Sequence, residues 1–303
     1  MPVQKRSRSP SVDLDQSSKR QEVAIASPSR ADHSPNSQPD NSQPGNPSQS
    51  TLRYKGKEYT LFQPWERMNL DALLFTQKHS VSRLRDARYF MLHNSDPSVL
   101  GTRYKMEDFT TMPAYDPSHE KLRHVSIACS HVECEGNTPE VSHITVLNLS
   151  NGEEIINSYV WPKAPVIKWD YDRNDRAVTE DVLTNASMEG GVIVGWEAVR
   201  KKLAQYVDAQ TIFVGYGLSS GLKALRISHT NVFDYLIARR DCAKDKEVLQ
   251  KAPYDHYYPK IQLPEKPELG ADGRYDYYER ALRRREIAIN YLKRPWGAYQ
   301  LSV

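Results

Sequence analysis

Three β-rich runs separated by turn residues constrain this chain most. His124 to Val132, Ser142 to Leu149 and Ile155 to Trp161 follow one another with short connections, and Asn151-Gly152 supplies a tight hairpin turn between the last two. That spacing predicts three strands in meander order. The pattern then becomes strand–helix alternation. Helices are expected over Thr179 to Ser187, Trp196 to Val207 and Ser219 to Ile227, with a buried strand over Thr211 to Gly215. A short strand over Asn231 to Tyr235 runs into another helix, and a last strong helix covers Tyr277 to Leu292. Antiparallel strands first, then strand–helix alternation, imply an α/β fold: a mixed sheet covered by helices on both faces.

Not all of the 303 residues contribute to that core. Residues 1–50 hold twelve Ser, seven Pro and no Phe, Trp or Tyr, so nothing in them offsets the entropy of ordering the backbone. They are expected to form a disordered Ser/Pro-rich tail. Lys5-Arg6 and Lys19-Arg20, separated by a polar spacer, form a bipartite basic pattern of the nuclear-import kind, and Ser9, Ser27 and Ser34 each precede a proline. The expected location is therefore the nucleus, otherwise the cytoplasm. From Thr51 aromatic and aliphatic residues arrive abruptly. Asn69 to Lys78 and Ser82 to Leu92 have helical spacing, followed by the breakers Asp96-Pro97, Met112-Pro113 and Asp116-Pro117. Residues 51–120 thus read as a helical amino-terminal extension, and 121–303 as the α/β domain.

Several classes of protein are disfavoured. The apolar runs, such as Gly191 to Trp196 and Thr211 to Val214, fall far short of the roughly 20 residues of a membrane-spanning helix. The basic start MPVQKRSRSP lacks the apolar segment of a secretory signal, so an intracellular protein with no membrane partner is expected. Cys129, Cys134 and Cys242 are odd in number and lack zinc-ligand spacing, and the first two are expected to sit reduced in or near a core strand. No phosphate-binding loop or His-Glu-x-x-His occurs.

Four passages in order, within His124 to Leu149, Asn151 to Glu180, Gly191 to Leu236 and Gly273 to Leu292, resemble the DnaQ-like (DEDDh) 3′–5′ exonucleases. The likeness is to the eukaryotic, fungal-type RNA exonuclease branch, and GWEAVRKKLAQYVDAQTIFVGYGLSSGLKALRISH is its most specific part. The resemblance implies a ribonuclease H-like fold and two-metal hydrolysis of RNA, with four carboxylates holding the cations and a histidine as general base. The first two acids belong two residues apart on the first strand, which puts them on one face. Here the family's Ile-Asp-Cys-Glu is Ile127-Ala128-Cys129-Ser130. The third acid's place in Val-Gly-His-x-Leu-x-x-Asp-Leu is taken by Gly221, and the general base and fourth acid read as Tyr275 and Arg280. Ala, Ser and Gly supply no anionic oxygen, and an arginine repels a divalent cation. The resemblance, with these departures, implies a catalytically degenerate protein that needs no metal and acts by binding nucleic acid or a protein.

Two features compete with that expectation. Glu133 and Glu135 repeat the two-apart acidic spacing, so an active exonuclease with relocated ligands, using Mg²⁺ or Mn²⁺, is the alternative; otherwise the two acids are a solvated pair in a strand-end loop. His229 and Asp234 imitate the family's last motif but are expected to pack or cap. The last helix carries Arg280, Arg283, Arg284 and Arg285, followed by Lys293 and Arg294, and the residues before it offer Tyr254, Tyr257, Tyr258 and Tyr275. Basic residues interleaved with aromatics suit single-stranded RNA, with Tyr275, Arg280, Arg283 and Arg284 along the former cleft. The competing reading is a solvated helix face whose tyrosines pack on the sheet.

Overall fold

The computed structural model describes residues 51–93, 96–101, 103–169, 178–238 and 276–293. The tail, Cys242, Tyr254, Tyr257, Tyr258, Tyr275 and Arg294 lie outside them. In chain order the elements are a hairpin of β1 (Thr51–Tyr54) and β2 (Lys57–Thr60), helices α1 (Pro64–Gln77) and α2 (Val81–Asp86), and a short β3 (Thr110–Thr111). Then come β4 (His124–Cys134), β5 (Thr138–Asn148), β6 (Glu154–Trp161) and β7 (Val166–Lys168). The alternating part is α3 (Glu180–Met188), β8 (Val192–Val194), α4 (Gly195–Leu203), β9 (Ile212–Gly215), α5 (Leu218–Ala224), β10 (Ile227–Ser228), β11 (Val232–Asp234) and, after a helical turn at 235–238, α6 (Tyr277–Leu292).

The main sheet runs β11-β9-β4-β5-β6-β8, with β7 pairing the far end of β4. β4, β5 and β6 pair antiparallel, whereas β9 joins β4 in parallel, β11 joins β9 in parallel and β8 joins β6 in parallel. This is the expected mixed sheet. Its central strands are longer than their sequence runs because both flanks of the 135–137 turn stay paired, and Gly136 (φ 74°) and Asn137 (φ 56°) take the left-handed conformation that lets the chain reverse. At the next reversal Gly152 has φ 74°, and a Cβ there would come within 2.7 Å of Leu52 Cδ2. Glycine is needed for the turn and for the close approach of β1.

Each face of β4 has its own cover. Val125, Ile127 and Cys129 join an aliphatic core with Val199 and Leu203 of α4 and Leu218 and Leu222 of α5. Ala128, one step out of phase, packs with Leu147, Tyr59 of β2, and Ala281 and Leu282 of α6. A neighbouring cluster joins Leu70 and Leu74 of α1 to Ala288, Ile289 and Leu292 of α6. Burial of such side chains is worth roughly 1.5–3 kcal/mol each, which makes α6 as much a core element as the sheet.

The amino-terminal extension contains two helices, but not only helices. It opens with the β1–β2 hairpin, whose Lys55 (φ 46°) and Gly56 (φ 74°) form a two-residue turn with positive φ at both positions. α1 begins earlier than its periodicity suggests because Pro64 occupies its first turn and Gln63 and Glu66 form a capping box. α2 stops at Asp86, and with Arg88 (φ 60°) the chain leaves the helix, so that Tyr89 and Met91 enter the main core and Phe90 packs against Phe109. Further on, β3 pairs β10 in parallel, the Arg226 guanidinium lies 4.5 Å from the Tyr104 ring centre, and Arg200 Nη1 donates to Asp108 O (2.8 Å).

Candidate functional site

Period-two alternation along β4 turns Ala128 and Ser130 towards α6. α6 is capped by Asp276, whose carboxylate accepts the Glu279 backbone N–H (2.8 Å), and one turn on the helix directs Arg280 at the strand. Arg280 Nη1 donates to Ser130 Oγ at 3.1 Å, with both residues buried. Strand and helix positions 150 residues apart therefore meet, and what meets there is a guanidinium and a hydroxyl. Ala128 beside them packs in an apolar cluster of Leu147, Tyr59, Ala281 and Leu282.

Gly221 stands elsewhere. It lies on α5, and a Cβ at that position would touch Cys129 Sγ (3.4 Å), the residue between Ala128 and Ser130 that faces the other way. The Arg280 charge acts on its surroundings. His143, the cross-strand partner of Ser130, stacks on Tyr277 with ring centres 3.5 Å apart, and burial, reinforced by Arg280, holds its pKa well below the ordinary value. Burial pushes the Cys129 thiol up to about 12, so the cysteine is chemically quiet. Cys129 and Cys134 are both free and buried, as their sequence setting suggests.

Glu133 and Glu135 do not approach this place. Glu133 is still within β4, paired with β5 and β7, and Glu135 is exposed in the following turn, where its backbone N–H donates to Pro165 O (2.9 Å). Five residues of extended strand separate Ala128 from Glu133, about 16 Å at 3.3 Å per residue. Among the described residues no group of three or more His, Cys, Asp or Glu side chains is positioned to hold a metal ion.

The arginines of α6 correct the picture of a basic face over a cleft. Arg283 pairs with Glu279 at 2.5 Å, and the same carboxylate takes Lys57 of the hairpin at 2.6 Å. Arg284 is half-buried. Arg285 is fully buried and donates to the carbonyls of Leu149 (2.7 Å), Thr60 (2.8 Å) and Ser150 (3.2 Å). Tyr54 and Lys55 reach Asp276 at 2.9 and 2.6 Å, and Glu286 accepts from the Thr60 backbone and hydroxyl. The hairpin is thus bonded to α6 along its length. Asp276 and Glu279 keep pKa values below the ordinary range despite burial, because these cations and N–H groups favour the ionised form.

A cavity of about 650 Å³ opens on the α5 side of β4, between that helix and the extension. Lys223, Ser220, Arg103, Tyr104, Tyr89 and His131 are among its lining residues. Lys223 is half-buried, and burial together with the charge of Arg88 lowers its pKa. Asp234 also borders the cavity, but its oxygens accept from Gly217 N (2.8 Å), Leu218 N (3.0 Å), Leu236 N (2.9 Å) and Tyr89 Oη (2.5 Å), so it fixes the entry to α5. His229 hydrogen-bonds Thr211 O (2.7 Å) and stacks on Phe213 (4.0 Å). The pair packs and caps, as expected. Sequence reasoning missed the lining from Arg103 and Tyr104, since nothing local marks a loop residue that a separate element brings to a helix.

No family model matches the sequence. Among curated proteins, the chain is similar to small RNA degrading nuclease 3 of Arabidopsis thaliana, 31% identical over 115 residues, which are 38% of this chain and 14% of that protein. It is similar also to the putative RNA exonuclease pqe-1 of Caenorhabditis elegans, 25% identical over 185 residues, 60% of this chain and 11% of that protein. The matched segments thus span about a seventh or less of these relatives. Among solved structures, the Saccharomyces cerevisiae apo Pan2 pseudoubiquitin hydrolase–RNA exonuclease module in complex with AAGGAA RNA aligns with a TM-score of 0.39 at 16% identity, over 66% of this chain and 34% of that one.

Proposed function

We propose that this chain, an exonuclease-like protein of the DEDDh superfamily, holds the end of a single-stranded RNA without cutting it. The observation that carries the loss of hydrolysis is the hydrogen bond from Arg280 to Ser130. Two-metal hydrolysis needs carboxylates converging on a pair of cations about 4 Å apart, and a buried guanidinium at that point opposes a cation electrostatically. Retained binding draws on the cavity beside α5, where Lys223 and Arg103 offer cations to a phosphate. The RNA nucleases among the curated relatives support RNA as the nucleic acid. The nuclear location is proposed from Lys5-Arg6 and Lys19-Arg20; a reporter carrying residues 1–50 that stays in the cytoplasm would end it.

The test is calorimetric titration of Mg²⁺ and Mn²⁺ into the full chain, paired with 3′-tailed RNA in the same buffer. The expected result is no metal heat and no shortening, with the RNA retarded on a native gel and released by Lys223→Glu. Shortening that Glu133→Gln or Glu135→Gln abolishes would replace this reading with an exonuclease using relocated ligands. Wild-type protein that retards no RNA would overturn the RNA assignment and leave a protein as the partner.

A further inference from the structure

α1 has two apolar faces, and among the described residues only one of them is covered. Leu70 and Leu74 are buried against α6 and the sheet, and Gln77 Nε2 ties the end of the helix to Leu292 O at 3.0 Å. On the outer side Trp65, Met68 and Phe75 are 65%, 77% and 69% exposed, and Ala72 completes a stripe at 65, 68, 72 and 75. Steps of three, four and three are the seam spacing of paired helices. Beside the stripe lies a groove of about 1200 Å³ bordered by Arg67, Asp71, Arg123 and Tyr115, the last of which is 53% exposed. Large apolar side chains grouped on one rigid helix mark an interaction site rather than ordinary surface scatter.

We propose that this face of α1 is the contact of a two-fold dimer of the chain. The stripe is complementary to itself when two copies of α1 pair antiparallel about an axis midway between Met68 and Ala72. Trp65 then meets the partner's Phe75, and Met68, the long side chain, meets the partner's Ala72, the short one. Arg67 and Asp71 share one edge of the helix, so the same axis brings each Arg67 towards the partner's Asp71. The groove balances its basic residues Arg67, Lys121 and Arg123 against Asp71, Glu120 and Asp208, which disfavours a polyanion as the occupant. An aromatic side chain buries 150–250 Å², so at the observed exposures the stripe and Tyr115 remove roughly 500 Å² per copy, about 1,000 Å² in total. That is the lower end of a specific interface, and the dimer is a reversible one.

The experiment is sedimentation of the full chain over a concentration series. Wild type is expected to pass from monomer to dimer with concentration, and Met68→Glu to stay monomeric at every concentration while melting at the wild-type temperature. In a Cys242→Ser background, a Met68→Cys/Ala72→Cys double variant is expected to form an oxidised dimer that dithiothreitol reverses, since native Cys129 and Cys134 are buried. A wild-type monomer throughout, or a dimer that Met68→Glu leaves intact, would overturn the proposal. So would a monomer that binds an added amphipathic peptide on α1, which would make the face a groove for another protein's helix.

Discussion

The two faces of β4 are covered by different physics. On the α4 and α5 side, Val125, Ile127 and Cys129 meet aliphatic side chains, and the stabilisation is burial and dispersion without direction. On the α6 side, apolar contacts through Leu282 and Ala281 alternate with Arg280 and Arg285, both bound to specific oxygens. A directional cover tolerates less change than an aliphatic one, because a missing partner leaves a buried polar group unpaired. The resemblance places the catalytic carboxylate pair on the α6 side, at Ala128 and Ser130, and this is the side that arginines now occupy.

The largest effect should come from the directional side. Arg285→Met keeps much of the volume but removes the donors that serve three carbonyls. Ser150 O keeps the Phe62 N–H (3.0 Å), so the loss falls on the Leu149 and Thr60 carbonyls. Leaving a buried acceptor unpaired costs roughly 1–3 kcal/mol, and a loss of about 2–5 kcal/mol in urea unfolding is expected. A loss below 1 kcal/mol would mean that water satisfies those carbonyls and that the two faces differ less than their contacts suggest.

The aliphatic side should respond to shape. Gly215 at the end of β9 has no room for a methyl group, since a Cβ would lie 2.5 Å from Leu218 Cδ2 and 2.7 Å from Ile127 O. One of those neighbours is backbone and cannot rotate away. Gly215→Ala is expected to cost about 2 kcal/mol by overpacking, read as a lower urea midpoint with an unchanged slope. An unchanged midpoint would show that α5 can shift on the sheet.

The sheet was readable from sequence because both signals that specify it are local. The runs from His124, Ser142 and Ile155 lie at or near the observed strands, the helix over Tyr277 to Leu292 is found with the same ends, and Asn151-Gly152 lies in the second reversal. The β1–β2 hairpin was not readable as such. Its strands have four residues each, too few for alternation to stand out, although Lys55-Gly56 is the trace of its turn. The arginines of α6 misled for a different reason. A helix rich in Arg looks solvated in one dimension, and only the third shows the carbonyls of Leu149 and Ser150 waiting inside. Ser130 and Arg280 could be nominated separately through the family pattern, but not their hydrogen bond.

Acid should test whether the two faces also differ in electrostatics. Each holds a buried histidine, His143 on Tyr277 and His229 on Phe213. Burial lowers the His229 pKa to about 4. Between about 6.5 and about 4 the unfolded chain takes up a proton that the folded one refuses, so stability falls as pH falls, by up to about 1.4 kcal/mol per unit for this group. His229→Gln retains a donor for Thr211 O and removes the titration, so its stability should fall less steeply in that window. His143→Gln should flatten the remaining slope in the same direction. Parallel curves for wild type and both variants would assign the acid sensitivity to other groups, such as Asp276 and Glu279. These act lower, since a depressed carboxylate contributes above its unfolded pKa and loses its contribution as pH falls through the folded one.

The smallest effect is expected at the outer surface of the hairpin. Arg53 and Glu58 face one another across β1 and β2 with Nη2 and Oε1 2.8 Å apart, yet their side chains are 78% and 52% exposed. Solvent screens such a pair and two long side chains must be ordered to make it, so Arg53→Ala should change stability by less than about 0.5 kcal/mol. One residue before Glu58, Lys57 points at Glu279, whose side chain is wholly buried, and Lys57→Met should cost more than Arg53→Ala. The contrast measures how the hairpin is attached, by its inner edge to α6 rather than by its own cross-strand charges. An Arg53→Ala loss above 1 kcal/mol, or one equal to that of Lys57→Met, would mean that the outer edge is covered in solution, and the directional cover of α6 would then extend beyond β1.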